Sequence, residues 1–214
     1  MKITKLEHAC LLLEKGGERL VVDPGSFTAP VPELENVVGV VITHEHPDHW
    51  TPDQLTRLLE ANPGIPVYAP QGVADAAAEV KAEVTVVRAG DTVRAGGFEL
   101  RFFGGQHALI HSSIPVVDNL GVLVDGELFY PGDSYTVPEG VEVQALAVPS
   151  SAPWLKIGDA MDYVLQVAPR HSFPTHEMVN SEAGKQMANG RIAWATEQNG
   201  GEFHALTPGD ALEL

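Results

Sequence analysis

The segment from His44 to His49 concentrates side chains that bind metal ions. Its six positions hold three histidines and two carboxylates: His44, Glu45, His46, Asp48 and His49. Neutral imidazole and carboxylate are ligands that zinc, manganese and iron accept. A segment this dense can serve two adjacent ions but cannot complete both coordination shells. We therefore expect further ligands from later in the chain.

A predicted strand directly precedes this segment. Val37–Ile42 is an apolar run rich in β-branched residues and bounded by polar ones, which indicates a buried strand. The first two histidines of the segment are two positions apart, so their side chains can project the same way from extended backbone. Pro47 forces a turn that can direct Asp48 and His49 towards a second point. The ligands are thus expected where the chain leaves the core.

The pattern His44-x-His46-x-Asp48-His49 resembles the signature of the metallo-β-lactamase-fold hydrolases. The Gly-Asp-Ser context of Asp133 and the Pro-x-His context of His176 are similar to those of the ascorbate phosphate lactonase-like branch. The resemblance implies an α/β (α+β) fold, a four-layer αβ/βα sandwich of two mixed β-sheets flanked by helices. It also implies a site for two divalent metal ions, zinc in the first instance, with manganese or iron as alternatives.

The resemblance assigns a role to each ligand candidate. It implies that one ion is held by His44, His46 and His107. It implies that the second is held by Asp48, His49 and His176. Asp133 would bridge the two ions, and Asp48 would also orient the attacking water.

Several other polar residues have more than one interpretation. His111 is an alternative to His107 as ligand, and it could also be a proton donor, a substrate contact or a polar loop residue. His171 competes with His176, and a partly buried strand residue is the preferred interpretation for it. His107 is preferred because it follows Gly-Gly at a strand exit, and His176 because its Pro-Thr-His turn fits the family.

Two residues early in the chain could support the site. Asp23, in an Asp-Pro-Gly turn, could fix a ligand histidine through the free ring nitrogen, or could serve only the turn. His8 could be a pocket residue or a structural one. Phe27, Trp50, Trp154 and Lys156 could line an opening, and Lys156 could pair with an anionic substrate, although ordinary packing is the preferred interpretation for all of them.

Length and composition indicate a single globular domain spanning residues 1–214. The chain has 44% apolar and 20% charged residues, and its formal net charge of 13 − 29 = −16 argues against binding to nucleic acid or to an anionic membrane. No apolar run approaches a membrane span, no signal-peptide core is present, and one cysteine, Cys10, excludes an internal disulfide. We therefore expect a cytoplasmic protein with a small-molecule substrate and a buried Cys10. A homo-oligomer is compatible with the sequence.

Alternating strand and helix signals run through the whole chain. Strands are predicted at Leu6–Glu14 and Glu18–Asp23, and Thr51-Pro52-Asp53-Gln54 has the form of a helix start. Further helices are predicted at Gln71–Val80, at Ile157–Ala168 and from about Ser181. The remaining predicted strands are Pro66–Pro70, Val84–Arg88, Phe98–Phe103, Asn119–Val124, Glu127–Tyr130, Val143–Val148, His171–Pro174 and Glu202–Leu206.

The expected chemistry is hydrolysis. Two cations that share a water lower its pKa and polarise the electrophile, so no serine or cysteine nucleophile is needed. The substrate class is expected to be an ester, lactone, thioester or phosphodiester. Alternatives are a nuclease, which the acidic charge disfavours, a di-iron redox protein, which would have Glu where His46 stands, and a non-catalytic metal-binding scaffold.

Overall fold

Two β-sheets face each other, and helices cover their outer faces. The computed structural model describes residues 1–31, 34–80 and 82–214. Each sheet contains seven strands among these residues, in the orders β14-β1-β2-β3-β4-β5-β6 and β13-β12-β11-β10-β9-β8-β7. The strands of the first sheet are β1 Lys2–Lys5, β2 Leu11–Lys15, β3 Glu18–Val22, β4 Val37–Val41, β5 Val67–Ala69, β6 Val84–Val86 and β14 Ala211–Glu213. Those of the second are β7 Thr92–Ala95, β8 Phe98–Gln106, β9 Asp118–Val124, β10 Leu128–Tyr130, β11 Ala145–Pro149, β12 His171–Thr175 and β13 Glu202–Phe203.

Both sheets are mixed. In the first, β3, β4, β5 and β6 run parallel to one another, whereas β14, β1, β2 and β3 pair antiparallel. In the second, β10 to β13 are parallel and β7 to β10 antiparallel. The helices are α1 Pro52–Ala61, α2 Gln71–Ala76, α3 Ile157–Val167 and α4 Glu182–Glu197, with 3-10 turns at Ala77–Val80 and Glu177–Val179. None of the helices in the described residues is long and apolar enough to span a membrane.

Three apolar clusters hold these layers together. The largest lies between the sheets and contains buried residues of both, such as Leu13 and Phe173. The second joins the first sheet to α1 and α2 through residues such as Val40 and Leu55, and it includes the buried Cys10, as expected. The third joins the second sheet to α3 and α4. The layers are therefore helix, sheet, sheet, helix, and the fold predicted from the resemblance is confirmed.

The helix that follows the metal-binding segment begins as its sequence predicts. Thr51 caps α1, because its hydroxyl accepts from the Gln54 backbone N–H at 3.2 Å, and Pro52 takes the first helical position. At the other end, Asn62 closes the helix with its backbone N–H on the Leu58 carbonyl. This helix fixes the direction in which the chain leaves the segment.

The two ends of the chain depart from the prediction. A strand over Leu6–Glu14 is wrong in its first half. Lys2–Lys5 forms a separate strand, and a turn follows in which Leu6 N–H bonds to the Cys10 carbonyl at 2.9 Å. This turn places His8 at φ +57°. Near the C-terminus, β13 ends at Phe203, and β14 adds an edge strand to β1 that the sequence analysis did not identify.

Candidate metal centre

The predicted ligands come together at one end of the two sheets. The metal-binding segment follows β4, His107 follows β8, Asp133 follows β10 and His176 follows β12. One cluster of facing ligand atoms, the first cluster, contains His44, His46 and His107. The second cluster contains His8, Asp48, His49 and His176. A third group, His44, His49 and Asp133, overlaps both clusters. All seven predicted ligands therefore lie in one region, and His8 joins them.

The Asp133 carboxylate lies between the two clusters. Its Oδ2 is 3.3 Å from His107 Nε2 and 3.2 Å from His176 Nε2, while Oδ1 is 3.2 Å from His49 Nε2. Trp154 Nε1 donates a hydrogen bond of 2.8 Å to Oδ2 and holds the carboxylate in this orientation. One carboxylate thus faces imidazoles of both clusters, as a bridging ligand must.

Acceptors behind the histidines fix which ring nitrogen faces the centre. His107 donates from Nδ1 to the Ala108 carbonyl at 2.6 Å, and His176 donates from Nδ1 to the Ser151 carbonyl. His49 donates from Nδ1 to Asp23 at 2.6 Å. Because Nδ1 carries the proton in each neutral ring, Nε2 presents a lone pair to the centre. Asp23 thus lies where a supporting group was anticipated.

The polar atoms that face the centre fit a cation. Four buried side-chain atoms there lack a hydrogen-bond partner: His49 Nε2, His107 Nε2, His176 Nε2 and Asp133 Oδ1. Buried polar atoms in native proteins are almost always satisfied, so four orphans facing one another indicate a missing partner. Three imidazole nitrogens and a carboxylate oxygen are a donor set for zinc-like ions.

His8 has a different role from the ligand candidates. The Met178 backbone N–H donates to His8 Nδ1 at 3.3 Å, so the ring proton is on Nε2, which donates to Asp48 Oδ2 at 3.2 Å. Burial lowers the pKa of His8, which favours this neutral form. The ring therefore holds Asp48 and has no lone pair left for an ion. In the sequence, His8 lies just inside a predicted strand and resembles a histidine found early in the lactonase-like branch. The left-handed turn that aims its ring is not visible in the pattern.

Burial and the facing charges shift the pKa values of the side chains in the centre. Burial lowers the pKa of His44 well below its ordinary value, and His49 beside it adds to the effect. For His176, burial acts in the opposite direction to the charge of Asp133, and the carboxylate prevails and raises the pKa to about 9. The pKa of Asp133 is held well below its usual range, since the facing His49 and His176 outweigh its burial.

Three residues of this centre have a left-handed backbone. The φ values are +46° for Asp23, +57° for His8 and +60° for His176. Residues other than glycine rarely adopt this left-handed backbone conformation. The His176 N–H bonds to the His8 carbonyl at 3.0 Å, which locks two of the three together. Such strain is typical of functional sites that the surrounding fold over-determines.

The remaining candidates lie elsewhere or contribute by packing. His111 is exposed, its Nδ1 is 2.7 Å from Ser113 Oγ, and it belongs to neither cluster, so its role as proton donor stays a prediction. His171 lies at the other end of β12 and faces His204. Trp50 is buried and donates to the Glu45 carbonyl. Lys156 is exposed and pairs with Asp159.

Comparisons with known proteins support the metallo-β-lactamase resemblance. The model of the family described as "Beta-lactamase superfamily domain" matches residues 2–176. Protein Rv0786c of Mycobacterium tuberculosis is 37% identical over 99% of both chains. A UPF0173 metal-dependent hydrolase of Aeropyrum pernix is 31% identical over 62% of this chain and 61% of its own length.

A solved structure shows the same fold. Igni18, a metallo hydrolase from the archaeon Ignicoccus hospitalis, superposes with a TM-score of 0.74 over 100% of this chain and 98% of its own, at 17% identity. With the family match and the converging histidines and carboxylates, the conclusion is direct. The chain belongs to the beta-lactamase superfamily and is a metal-dependent hydrolase with the metallo-β-lactamase fold.

Proposed function

We propose that the protein uses a dinuclear metal centre to hydrolyse a small, uncharged ester, lactone or thioester. The observation that carries the proposal is the position of Asp133, whose carboxylate faces His107 on one side and His49 and His176 on the other. His44, His46 and His107 would hold one ion. Asp48, His49 and His176 would hold the second, and Asp133 would bridge them.

The two ions, when bound, would lower the pKa of a shared water and polarise the electrophilic oxygen of the substrate. The protein's own groups prepare that reaction. His8 holds Asp48 by its Nε2 proton, which leaves the other carboxylate oxygen free to orient a water. Trp154 keeps the Asp133 carboxylate turned towards the centre. Asp23 fixes the His49 ring and increases the basicity of its Nε2.

Exposed apolar residues beside the site and in the segments that follow two of the ligands support an uncharged substrate. Phe27 is 45% exposed, and its ring meets the His8 ring edge-on at 4.8 Å. Met178 and Val179, which follow His176 in sequence, are 42% and 47% exposed. After His107, the chain exposes Leu109, Ile114 and Val116. Exposed apolar side chains in these segments favour a ligand with an apolar body.

The lysines adjacent to the ligand-bearing segments do not offer a free charge to an anionic substrate. Lys5 is fully buried and pairs with Glu177 at 2.8 Å. Lys156 is 78% exposed and pairs with Asp159 at 3.2 Å. The two ions would themselves supply positive charge for one anionic oxygen of a substrate. Because neither lysine adds a further free charge beside them, we place esters, lactones and thioesters before phosphodiesters. The contexts of Asp133 and His176 support the lactonase-like branch, and lactones without a phosphate are therefore the first compounds to test.

The test combines metal analysis with matched substrates. Protein purified without added metal should contain close to two transition-metal equivalents per chain, and His46→Ala, Asp133→Ala and His176→Ala should lower this number and abolish hydrolysis. A neutral lactone series should be cleaved faster than phosphorylated analogues of the same ring. One equivalent per chain with full activity would contradict the dinuclear centre, and faster cleavage of phosphodiesters would contradict the substrate class. Bound iron with visible absorption would favour a di-iron redox protein instead. Binding to oligonucleotides would favour a nuclease.

A further inference from the structure

A second group of metal-binding side chains lies at the far end of β12. His171, Glu202 and His204 present ligand atoms that all lie within 4.8 Å of one another. His171 Nδ1 and His204 Nε2 are 3.0 Å apart, and their ring centroids are separated by 5.1 Å. We call these three residues the edge site. Neither the family pattern nor the proposed reaction uses them.

The strand register explains why the three side chains meet. β12 and β13 are parallel, and His171 is the register partner of Glu202. His204 is two residues beyond Glu202, and its backbone N–H bonds to the Ser172 carbonyl at 2.8 Å, which continues the pairing. Side chains two apart on extended backbone share a face, and register partners share it too. The backbone therefore places two imidazoles and a carboxylate on one face.

We propose that the edge site binds one zinc-like divalent ion. Two imidazoles and a glutamate are a known zinc ligand set that leaves a coordination position open. Two nitrogens on one tetrahedral zinc lie roughly 3.3 Å apart, which the 3.0 Å between His171 and His204 approaches. His44 Nε2 and His46 Nδ1, in the first cluster, are 3.1 Å apart. The same nitrogen-to-nitrogen relationship thus occurs at both places.

The edge site is separate from the candidate metal centre. His171 begins β12, whereas His176 follows its last residue, Thr175. At the rise of a parallel strand, these five steps correspond to roughly 16 Å. An ion at the edge site would therefore add to the two proposed above, and its binding does not depend on the hydrolytic function.

The ion would act on a short strand pairing at the edge of the second sheet. β13 has only two residues and lies at the edge. Coordination by His171 from β12 and by His204 from the continuation of β13 would cross-link the two strands. Because a ligand that binds only the folded state stabilises it, the protein should become more stable as zinc occupies the edge site.

The experiment counts zinc ions per chain in the full-length protein. Chelator-treated protein is titrated with Zn²⁺ alone by calorimetry and checked by metal analysis. Wild type should bind one equivalent more than His204→Gln or His171→Gln, and both variants should keep hydrolytic activity. Glu202→Gln, at an exposed position, should weaken this equivalent at least tenfold without affecting folding. Glu197→Gln, an exposed carboxylate of α4, is the matched control and should bind zinc like wild type.

Equal zinc stoichiometry in wild type and in the two histidine variants would overturn the proposal. In that case His171 and His204 only form a hydrogen bond between their rings. Each histidine variant would then lose the same amount of stability with zinc as without it. If a histidine variant fails to fold, Glu202→Gln decides alone, because unchanged zinc affinity in that variant would equally overturn the proposal.

Discussion

His49 Nδ1 lies 2.6 Å from Asp23 Oδ2, and both residues are fully buried. The same carboxylate accepts from the Thr43 backbone N–H at 2.8 Å and from the Thr43 hydroxyl at 2.7 Å. Three donors therefore hold Asp23 in a left-handed turn, and Asp23 in turn orients one ring of the centre. The aspartate supports the centre without facing the position of an ion.

Asp23→Asn should weaken metal binding more than it weakens the fold. The amide keeps the size of the side chain but can no longer accept with the same strength from His49. Loss of such a supporting carboxylate typically costs about 10- to 100-fold in metal affinity or activity. Chelator competition measures the change. Asp53→Asn, at an exposed position in α1, is the control and should bind metal like wild type.

His8→Gln should separate catalysis from metal content. If His8 positions Asp48 and does not bind an ion, the variant keeps its metal, while hydrolysis falls about 10- to 100-fold because Asp48 is misplaced. Metal analysis and kcat on the same preparation give both numbers. His176→Ala is the comparison and should lose metal as well as activity. Loss of a full metal equivalent in His8→Gln would show that His8 is a ligand.

Gly25→Ala should displace the metal-binding segment. A Cβ at Gly25 would lie 1.8 Å from the Asp48 carbonyl oxygen and 2.6 Å from the His49 nitrogen, both backbone atoms. Forcing extra atoms into such a contact typically costs about 1–3 kcal/mol. Chemical denaturation and metal analysis should both show a loss. Gly190→Ala, in the middle of α4 with no neighbour within 4 Å, should instead stabilise the protein by about 0.5–1 kcal/mol.

Lys5→Met should be strongly destabilising. Lys5 and Glu177 form a buried pair at 2.8 Å, with side chains 0% and 8% exposed. Removal of one partner leaves an uncompensated buried charge, which typically costs about 3–5 kcal/mol. The free energy of unfolding in urea measures this. Lys15→Met breaks a pair in which Lys15 is 45% exposed, and it should cost no more than about 1 kcal/mol.

Metal affinity should rise with pH up to about 9. In the metal-free protein the pKa of His176 is raised to about 9, so the ring holds a proton below that pH, and a metal ion must displace it. The competing proton is lost as the pH rises through that pKa, so the metal affinity should increase over this range. Zinc affinity at pH 7, 8 and 9 would show the trend, and an affinity independent of pH over this range would contradict it.

The local features of the centre could be predicted from the sequence. The metal-binding segment follows the strand β4 and precedes the capped helix α1. The strand, the four ligand candidates and the helix start all lie between Val37 and Gln54, so each has a local signal in the sequence. His107 lies in the first cluster and His176 in the second, whereas His111 lies in neither and His171 belongs to the separate edge site. The preference for His107 and His176 as metal ligands stays a prediction for metal analysis of the variants.

Features that depend on distant partners could not be predicted. β14 is a three-residue strand only because β1 pairs with it from the opposite end of the chain. The turn at Leu6–Cys10 is in an apolar run that reads as strand, and its left-handed His8 is stabilised by contacts with Asp48 and Met178. Neither contact leaves a periodic signal. The edge site likewise required the register of β12 and β13.

The ligands of the centre come from both sheets, which has a consequence for how the site is assembled. The segment after β4 belongs to one sheet, and His107, Asp133 and His176 all follow strands of the other. Neither half of the chain alone holds a complete set of ligands. The complete set of ligands therefore exists only where the two halves are docked. A metal ion held by all of these residues would link one half of the chain to the other.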